Sequence, residues 1–162
     1  MRKLRIYLDT SVISHLDAPD APDKMEDTHK LWEDIRAGIY DVYISSAVVL
    51  ELDSCSEPKR SILAKQLQSV EYTELQATDE VLELAAQYQK AGILPPKSAR
   101  DRQHIAYACV YDCDMIVSWN FKHMVNYKTI SGVKGVNALA GYKEMPIYTP
   151  TMLIEGGEED DT

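Results

Sequence analysis

Apolar and polar positions alternate along this chain in two periods, and the changes between them predict strands followed by helices. The run LRIYL over residues 4–8 is typical of a buried strand. β-branched and aromatic residues predict further strands over residues 41–46 (DVYISS) and 114–119 (DMIVSW). Between these strands the apolar residues take helical spacing. The chain is therefore predicted to alternate strand and helix.

Residues that start and stop helices support this order. Asp23 and Glu26 have the spacing of a capping box, and Gly38 is a natural stop for the helix that follows them. Thr78 is predicted to cap a helix that ends at Gly92. The other predicted elements are helices beginning near Thr10, Ala47, Lys59, Ser98 and Phe121 and short strands within residues 72–76 and 147–150, the second of them an edge strand.

Single helices between successive strands predict a mainly parallel sheet. Parallel strands need crossover connections, and the helices that supply them cover both faces of the sheet. The expected fold class is α/β, a three-layer α/β/α sandwich that forms one domain over residues 1–150. Residues 151–162 contain five acids and are expected to form a disordered acidic tail.

The composition narrows the class of protein. The 162 residues are 45% apolar, which suffices for a real core, and they carry a formal net charge of −9. That charge argues against a protein that merely coats nucleic acid, because phosphate binding is driven by Lys and Arg. It weakens a metal-dependent nuclease less, because each bound divalent cation offsets two acids.

The cysteines and the hydropathy of the chain indicate in which cellular compartment the protein is expected. The three cysteines lack the spacing of a disulfide framework, so reduced thiols and a cytoplasmic location are expected. The start of the chain does not resemble a signal peptide, and no apolar stretch approaches the roughly 20 residues that a membrane span needs. We therefore expect no membrane association.

Four oxygen-bearing side chains lie where strands meet helices. Asp9 closes the first strand, Glu51 lies one turn into the helix after the second strand, Asp101 opens a helix, and Asn120 follows the strand MIVSW. Each has a simpler explanation taken singly, such as helix capping for Asp9 and Asp101 or a turn for Asn120. In an alternating fold, however, such positions converge on the carboxyl edge of one sheet. Together they predict a site for a hard divalent cation, Mg²⁺ or Mn²⁺.

The segments around these residues resemble the PIN-domain nucleases, especially the VapC-type toxins of toxin–antitoxin pairs. The resemblance covers roughly residues 4 to 148, and its motifs are YLDTSVIS, SSAVVLEL, SARDRQHIAYA and DMIVSWNFKHM, in that order. It implies a PIN-like fold and a Mg²⁺- or Mn²⁺-dependent ribonuclease that cleaves RNA endonucleolytically. It also implies that Asp9, Glu51 and Asp101 ligate the metal. A cognate antitoxin and a homodimer are implied as well.

Asn120 departs from the family pattern, in which an acid is usual at this position. An amide oxygen still ligates a cation or orients water, but it adds no negative charge. We keep Asn120 among the predicted catalytic residues and expect a second metal position to be weakly occupied.

Polar neighbours of the four residues are assigned supporting roles. Thr10 and Ser11 are predicted to orient the Asp9 carboxylate or a bound water, with turn capping as the alternative, and Ser118 is predicted to be a further supporting residue. Arg100, Arg102 and Lys122 are predicted to bind substrate phosphates, with solvated surface charges as the alternative. His104 is predicted to be a buried, hydrogen-bonded histidine, because the metal prefers oxygen.

Three other functions would explain part of this pattern. A catalytically decayed PIN-like module that binds RNA or protein would explain Asn120, although retention of the three acids argues against it. A haloacid-dehalogenase-type phosphoryl transferase would use Asp9 as nucleophile, yet Ser11 stands where such enzymes have a second acid. A receiver domain would need paired acids just before its strand-end aspartate, and these are missing from the sequence.

Overall fold

Five parallel strands form one sheet within residues 2–156, the part of the chain that this computed structural model describes. Their order across the sheet is β3-β2-β1-β4-β5, with β1 at the centre. Ile6 of β1 is paired with Val42 on one side and Met115 on the other. The strands are β1 (Leu4–Leu8), β2 (Tyr40–Ser45), β3 (Thr73–Leu75), β4 (Met115–Val117) and β5 (Ile147–Tyr148).

Helices connect the strands and pack in two groups. Helix α2 packs against α8 and β2, whereas α5 packs against α6 and α7. The α/β class and the parallel sheet predicted from the sequence are confirmed. The described helices are α1 (Thr10–Ser14), α2 (Pro22–Arg36), α3 (Ser46–Asp53), α4 (Lys59–Gln68), α5 (Asp79–Lys90), α6 (Ala99–Val110), α7 (Tyr127–Ala140) and α8 (Pro150–Gly156).

The core is centred on β1, whose residues Ile6, Tyr7 and Leu8 are fully buried. A central parallel strand is covered on both faces, which explains why its sequence is nearly continuous in apolar residues. Cys109 and Cys113 are buried free thiols, as expected of cysteines in a reduced core. Between residues 2 and 156 no helix is long and apolar enough to cross a membrane.

Helix α2 begins earlier than predicted, and the prediction of a capping box at Asp23 and Glu26 is wrong. The helix starts at Pro22, and Ala21 precedes it without a side-chain cap. Proline suits the first helical position because its φ is already helical and its missing N–H has no partner there. Gly38 adopts φ +78°, which fits its predicted role as a stop. Thr78 caps α5 as predicted, its hydroxyl accepting from the N–H of Val81 at 3.2 Å.

The segment after β4 differs most from the prediction. Residues 121–126 form turns instead of a short helix, and the fourteen-residue α7 follows them. Asn126 caps α7 by accepting from the N–H of Thr129 at 2.9 Å. The sequence pattern did not reveal α7, because Gly132 and Gly135 are poor helix formers and because the most exposed residues of the helix include the apolar Tyr127 and Leu139.

The acidic tail was expected to be disordered from residue 151, and the structure corrects that boundary. Pro150–Gly156 form helix α8, which packs on α2. The Thr151 hydroxyl donates to Asp27 Oδ2 at 2.6 Å. Residues 157–162, which carry most of the tail's acids, lie outside the described residues.

Candidate active site

Asp9 is held between two serine hydroxyls at the carboxyl end of the sheet. It follows β1 directly and caps α1, with only 3% of its surface exposed. Ser11 Oγ donates to Asp9 Oδ1 and Ser118 Oγ donates to Asp9 Oδ2, both at 2.5 Å. Ser118 comes directly after β4, the neighbour of β1, so the sheet order brings the two residues together.

The surroundings of Asp9 make its charge costly. Burial raises the pKa of the Asp9 carboxyl above its ordinary value, and the nearby His104 and the two serine hydroxyls offset only part of that rise. A buried carboxylate in this state gains from a nearby cation. The prediction that Ser11 and Ser118 orient this side chain agrees with both hydrogen bonds.

Glu51 lies on α3, with its side chain one-third exposed. Its Oε1 atom accepts from the Thr10 hydroxyl at 2.8 Å, contacts His104 Nε2 at 3.2 Å and lies 3.8 Å from an Arg100 nitrogen. Thr10 was expected to orient the Asp9 carboxylate, but its hydroxyl donates to Glu51 instead. Neighbouring residues of one helix therefore hold different acids, Ser11 holding Asp9 and Thr10 holding Glu51.

These contacts lower the pKa of Glu51. Burial alone would raise the pKa of this carboxyl, but hydrogen bonding and charge from His104, with smaller effects from Thr10 and Arg100, outweigh it. Glu51 is thus an ionised carboxylate at neutral pH. Oε1 takes all of these contacts, and no residue within 2–156 donates a hydrogen bond to Oε2.

Asp101 lies in the first turn of α6 and is partly buried. Burial raises the pKa of its carboxyl, His104 acts against the rise, and the charges of Asp9 and Glu51 add to it. Asp9 and Glu51 thus lie near enough to Asp101 to raise its pKa, although the three acids are 42 and 50 residues apart in sequence. Within the described residues no side chain or N–H donates to the Asp101 carboxylate.

The donor chemistry of the three acids fits a hard divalent cation. Carboxylate oxygens are the ligands that Mg²⁺ and Mn²⁺ prefer, and a cation would relieve the mutual repulsion of Asp9, Glu51 and Asp101. Within residues 2–156, however, no three His, Cys, Asp or Glu side chains lie close enough together to hold a metal ion as they stand. The Asp9 oxygens accept from hydroxyls, whereas Glu51 Oε2 and the Asp101 carboxylate accept no hydrogen bond from any residue within 2–156.

Asn120 follows β4, and its side chain is hydrogen-bonded within the turn that it begins. Its Oδ1 accepts from the N–H of His123 at 2.9 Å, and its own N–H donates to Ser118 Oγ at 3.0 Å. Ser118 thereby joins Asn120 to Asp9. The amide oxygen predicted to ligate or to orient water is engaged in this turn.

Arg102 does not bind substrate, which corrects the prediction. Its side chain is buried, with 2% exposure, and its guanidinium lies against the backbone of the segment before α6. One nitrogen donates to the carbonyl oxygen of Pro95 at 2.8 Å and the other to that of Pro96 at 3.2 Å. Carbonyls of Ile93 and Leu94 also accept from it. No local pattern in the sequence distinguishes this arginine from its exposed neighbour.

Arg100 and Lys122 have side chains that are accessible to solvent. The Arg100 side chain is half exposed and close to Glu51. Lys122 is exposed and lines a cleft of about 570 Å³ beside the turn that follows Asn120. Lys128 and His123 line the same cleft, and its described lining contains no acid. The charge of His123 also lowers the pKa of the Asp101 carboxyl.

Comparisons with solved structures place the fold in a class. The chain matches VapBC2 from Rickettsia felis, a structure bound to a DNA fragment from its promoter, at 15% identity and a TM-score of 0.56, covering 90% of this chain and 98% of that one. It matches the Mycobacterium tuberculosis toxin VapC20, described as cleaving the sarcin–ricin loop, at 18% identity and a TM-score of 0.56, covering 86% and 97%.

Both matches are to VapC-type PIN-domain toxins, so the resemblance predicted from the sequence is confirmed for the fold. No family model matches the chain, and no curated protein matches it by sequence. The fold is thus PIN-like.

Proposed function

We propose that this protein is a metal-dependent endoribonuclease of the PIN type and the toxin of a toxin–antitoxin pair. The observation that carries the proposal is that contacts of Glu51 with Thr10 and His104 bring together the segments that carry Asp9, Glu51 and Asp101, at the carboxyl edge of a PIN-like sheet. An RNA substrate is favoured because one structure with the same fold is described as a sarcin–ricin loop cleaving toxin.

Asp9, Glu51 and Asp101 would hold Mg²⁺ or Mn²⁺. Such a cation lowers the pKa of water and neutralises phosphate charge, which is the chemistry needed for phosphodiester hydrolysis. In this proposal Ser11 and Ser118 orient Asp9, and Thr10 orients Glu51. The expected products carry a 5′-phosphate and a 3′-hydroxyl, as the family resemblance implies.

Arg100 and Lys122 are the proposed substrate contacts. Arg100 lies beside Glu51 with half its side chain exposed, where its charge would meet a phosphate next to the scissile bond. The cleft with Lys122 and Lys128 offers a cationic path for the flanking RNA backbone, in a chain that is acidic overall.

The proposed setting is the cytoplasm, where RNA is accessible, with a cognate antitoxin and a second copy of the chain as partners. Both partners follow from the likeness to VapC-type toxins. The apolar residues Leu31, Trp32 and Ile35 of α2 are buried in the core, so these partners would contact a different surface.

The test is cleavage of structured and single-stranded RNAs in the presence of Mg²⁺ or Mn²⁺. The proposal expects wild-type cleavage that chelation abolishes and that Asp9→Asn and Glu51→Gln each lose. Asp53→Asn is the matched control, because Asp53 is an exposed acid two residues from Glu51 on the same helix. Loss of cleavage in the control would remove the assignment of Glu51.

The alternative is a catalytically decayed PIN-like module. Two observations favour it: both Asp9 oxygens are engaged by serines, and the Asn120 oxygen is engaged in its own turn. Binding of RNA by a wild-type protein that cleaves none of the panel would support this alternative.

A further inference from the structure

His104 joins the candidate site to the core through both of its ring nitrogens. Nε2 lies 3.2 Å from Glu51 Oε1, and Nδ1 lies 2.6 Å from the Tyr7 hydroxyl oxygen. The ring is 3% exposed, so water does not compete for either contact. A buried imidazole with two fixed partners has little freedom to rotate.

Tyr7 extends this connection to the helix that carries Glu51. Its hydroxyl donates to Ser45 Oγ at 2.8 Å, and Ser45 Oγ accepts from the N–H of Val48 at 3.3 Å, which caps α3. The contacts therefore close a loop: Ser45 fixes the start of α3, and His104 fixes the side chain of Glu51 five residues after Ser46 in the same helix. Both anchors meet at the Tyr7 hydroxyl.

We propose that His104 is a positioning residue that sets the orientation of the Glu51 carboxylate, with Tyr7 as its anchor. This inference rests on the proposed function, because the bound cation is what Glu51 would be oriented toward. His104 and Thr10 saturate Oε1, which leaves Oε2 as the oxygen for a ligand. His104 lies one turn after Asp101 on α6, so this helix supplies both Asp101 and the side chain that orients Glu51.

A purely structural histidine would have a different signature. Removing a buried hydrogen bond anywhere in the core lowers stability, but only a positioning residue also changes metal affinity. Tyr88 offers the matched comparison, because it too is fully buried and its hydroxyl donates to Asn137 at 2.6 Å, away from the acids.

The experiment measures Mn²⁺ affinity by calorimetry, thermal unfolding, and kcat and KM for RNA cleavage in full-length variants. His104→Leu is expected to weaken Mn²⁺ binding about tenfold or more and to lower kcat, with little change in KM for RNA. His104→Gln retains a donor toward Glu51 and is expected to recover most of the affinity. Tyr7→Phe is expected to weaken binding about threefold. Tyr88→Phe is expected to lower the unfolding temperature with Mn²⁺ affinity unchanged.

The outcomes separate this inference from the proposed function. Wild-type Mn²⁺ affinity in His104→Leu would overturn the inference while the nuclease stands. A wild-type protein that neither binds Mn²⁺ nor cleaves RNA would overturn the proposed function and the inference with it. If His104→Leu does not fold, Tyr7→Phe against Tyr88→Phe decides: equal Mn²⁺ affinity in the two overturns the inference, and weaker affinity in Tyr7→Phe alone supports it.

Discussion

Ser118 and Asp9 lie 109 residues apart in sequence, yet the Ser118 hydroxyl donates to Asp9 Oδ2 at 2.5 Å. The contact exists because β4 lies beside β1 and both strands end at the same edge of the sheet. The same hydroxyl accepts from the N–H of Asn120. A single serine thus connects the two strand ends that supply the first and fourth positions of the candidate site.

Replacing this serine tests what the contact contributes. Ser118→Ala leaves Asp9 Oδ2 buried without its donor, so the free energy of unfolding is expected to fall by about 1–3 kcal/mol. Urea unfolding measures the change. Ser69→Ala is the control, because the exposed Ser69 hydroxyl donates to a backbone carbonyl and its loss is expected to cost less than about 0.5 kcal/mol. Equal effects of the two substitutions would show that the buried contact has no special role.

The pH dependence of metal binding follows from the raised pKa values of Asp9 and Asp101. A raised carboxyl pKa means that the folded state holds its proton more tightly than the unfolded state. Without metal, this contribution to stability is present below the unfolded value of about 3.9 and is lost as the pH rises through the folded value. Glu51, with its lowered pKa, contributes in the opposite sense.

Bound metal adds the opposite pH dependence, because the cation binds the ionised carboxylates of Asp9 and Asp101. The rise in unfolding temperature produced by Mn²⁺ is therefore expected to be large near pH 7 and to shrink toward pH of about 4. Thermal unfolding across this range with and without Mn²⁺ measures it. A Mn²⁺ effect of the same size at both ends would contradict the assignment of these acids as ligands.

Arg100 and Arg102 are two residues apart, but substitution of Arg102 is expected to lower stability whereas substitution of Arg100 is expected to lower RNA cleavage. Arg102→Met leaves several carbonyl oxygens without their buried donor and is expected to lower the free energy of unfolding by about 2–4 kcal/mol. Arg100→Gln loses a half-exposed ion pair with Glu51, which is worth under about 1 kcal/mol. Its RNA cleavage is expected to fall by about tenfold or more, because a phosphate contact is lost.

Urea unfolding and cleavage rates, measured on both arginine variants, check this pair. An Arg102→Met protein as stable as wild type, or an Arg100→Gln protein with wild-type cleavage, would contradict the corresponding half.

Asp114 accepts hydrogen bonds from Arg2 and Arg5, and these contacts make the free energy of unfolding depend on pH. Hydrogen bonds from Arg2 hold the pKa of Asp114 at about 2, and the N–H of Arg5 also donates to its carboxylate. The depressed pKa means that this stabilisation is present above the unfolded value of about 3.9 and is lost as the pH falls toward about 2.

Asp114→Asn is therefore expected to lower the free energy of unfolding at pH of about 7 by about 1–2 kcal/mol, after allowance for the exposure of Arg2. The difference from wild type should vanish in strong acid, which urea unfolding at several pH values measures. A difference that persists unchanged at pH of about 2 would assign the effect to packing.

The sequence pattern predicted the parts of the fold that depend on local periodicity. Strands β1, β2 and β4 are buried and rich in apolar residues, so their segments stand out, and their order predicts the parallel sheet. The positions of Asp9 and Glu51 at strand–helix junctions followed from the same alternation. Helix α7 was not predicted, because Gly132 and Gly135 lower its helix propensity and apolar residues lie on its exposed side.

The contacts that organise the site could not be predicted, because they join distant segments. Nothing near Thr10 in sequence indicates that its hydroxyl meets Glu51 across 41 residues. The buried state of Arg102 depends on the path of residues 93–96, whose carbonyls it satisfies. His104 was predicted to be buried and hydrogen-bonded, and that is confirmed, but its two partners were apparent only in the folded structure.

Asp101→Asn is the sharpest test of metal-dependent cleavage by the three acids, because the described residues donate no hydrogen bond to this carboxylate and the substitution removes charge alone. The measurement is the rate of RNA cleavage against Mn²⁺ concentration for wild type and Asp101→Asn, with thermal unfolding of both in the absence of metal. We expect the variant to be at least as stable as wild type, because repulsion from Asp9 and Glu51 is relieved, and to cleave no RNA at any Mn²⁺ concentration. Wild-type cleavage by the variant would contradict this expectation.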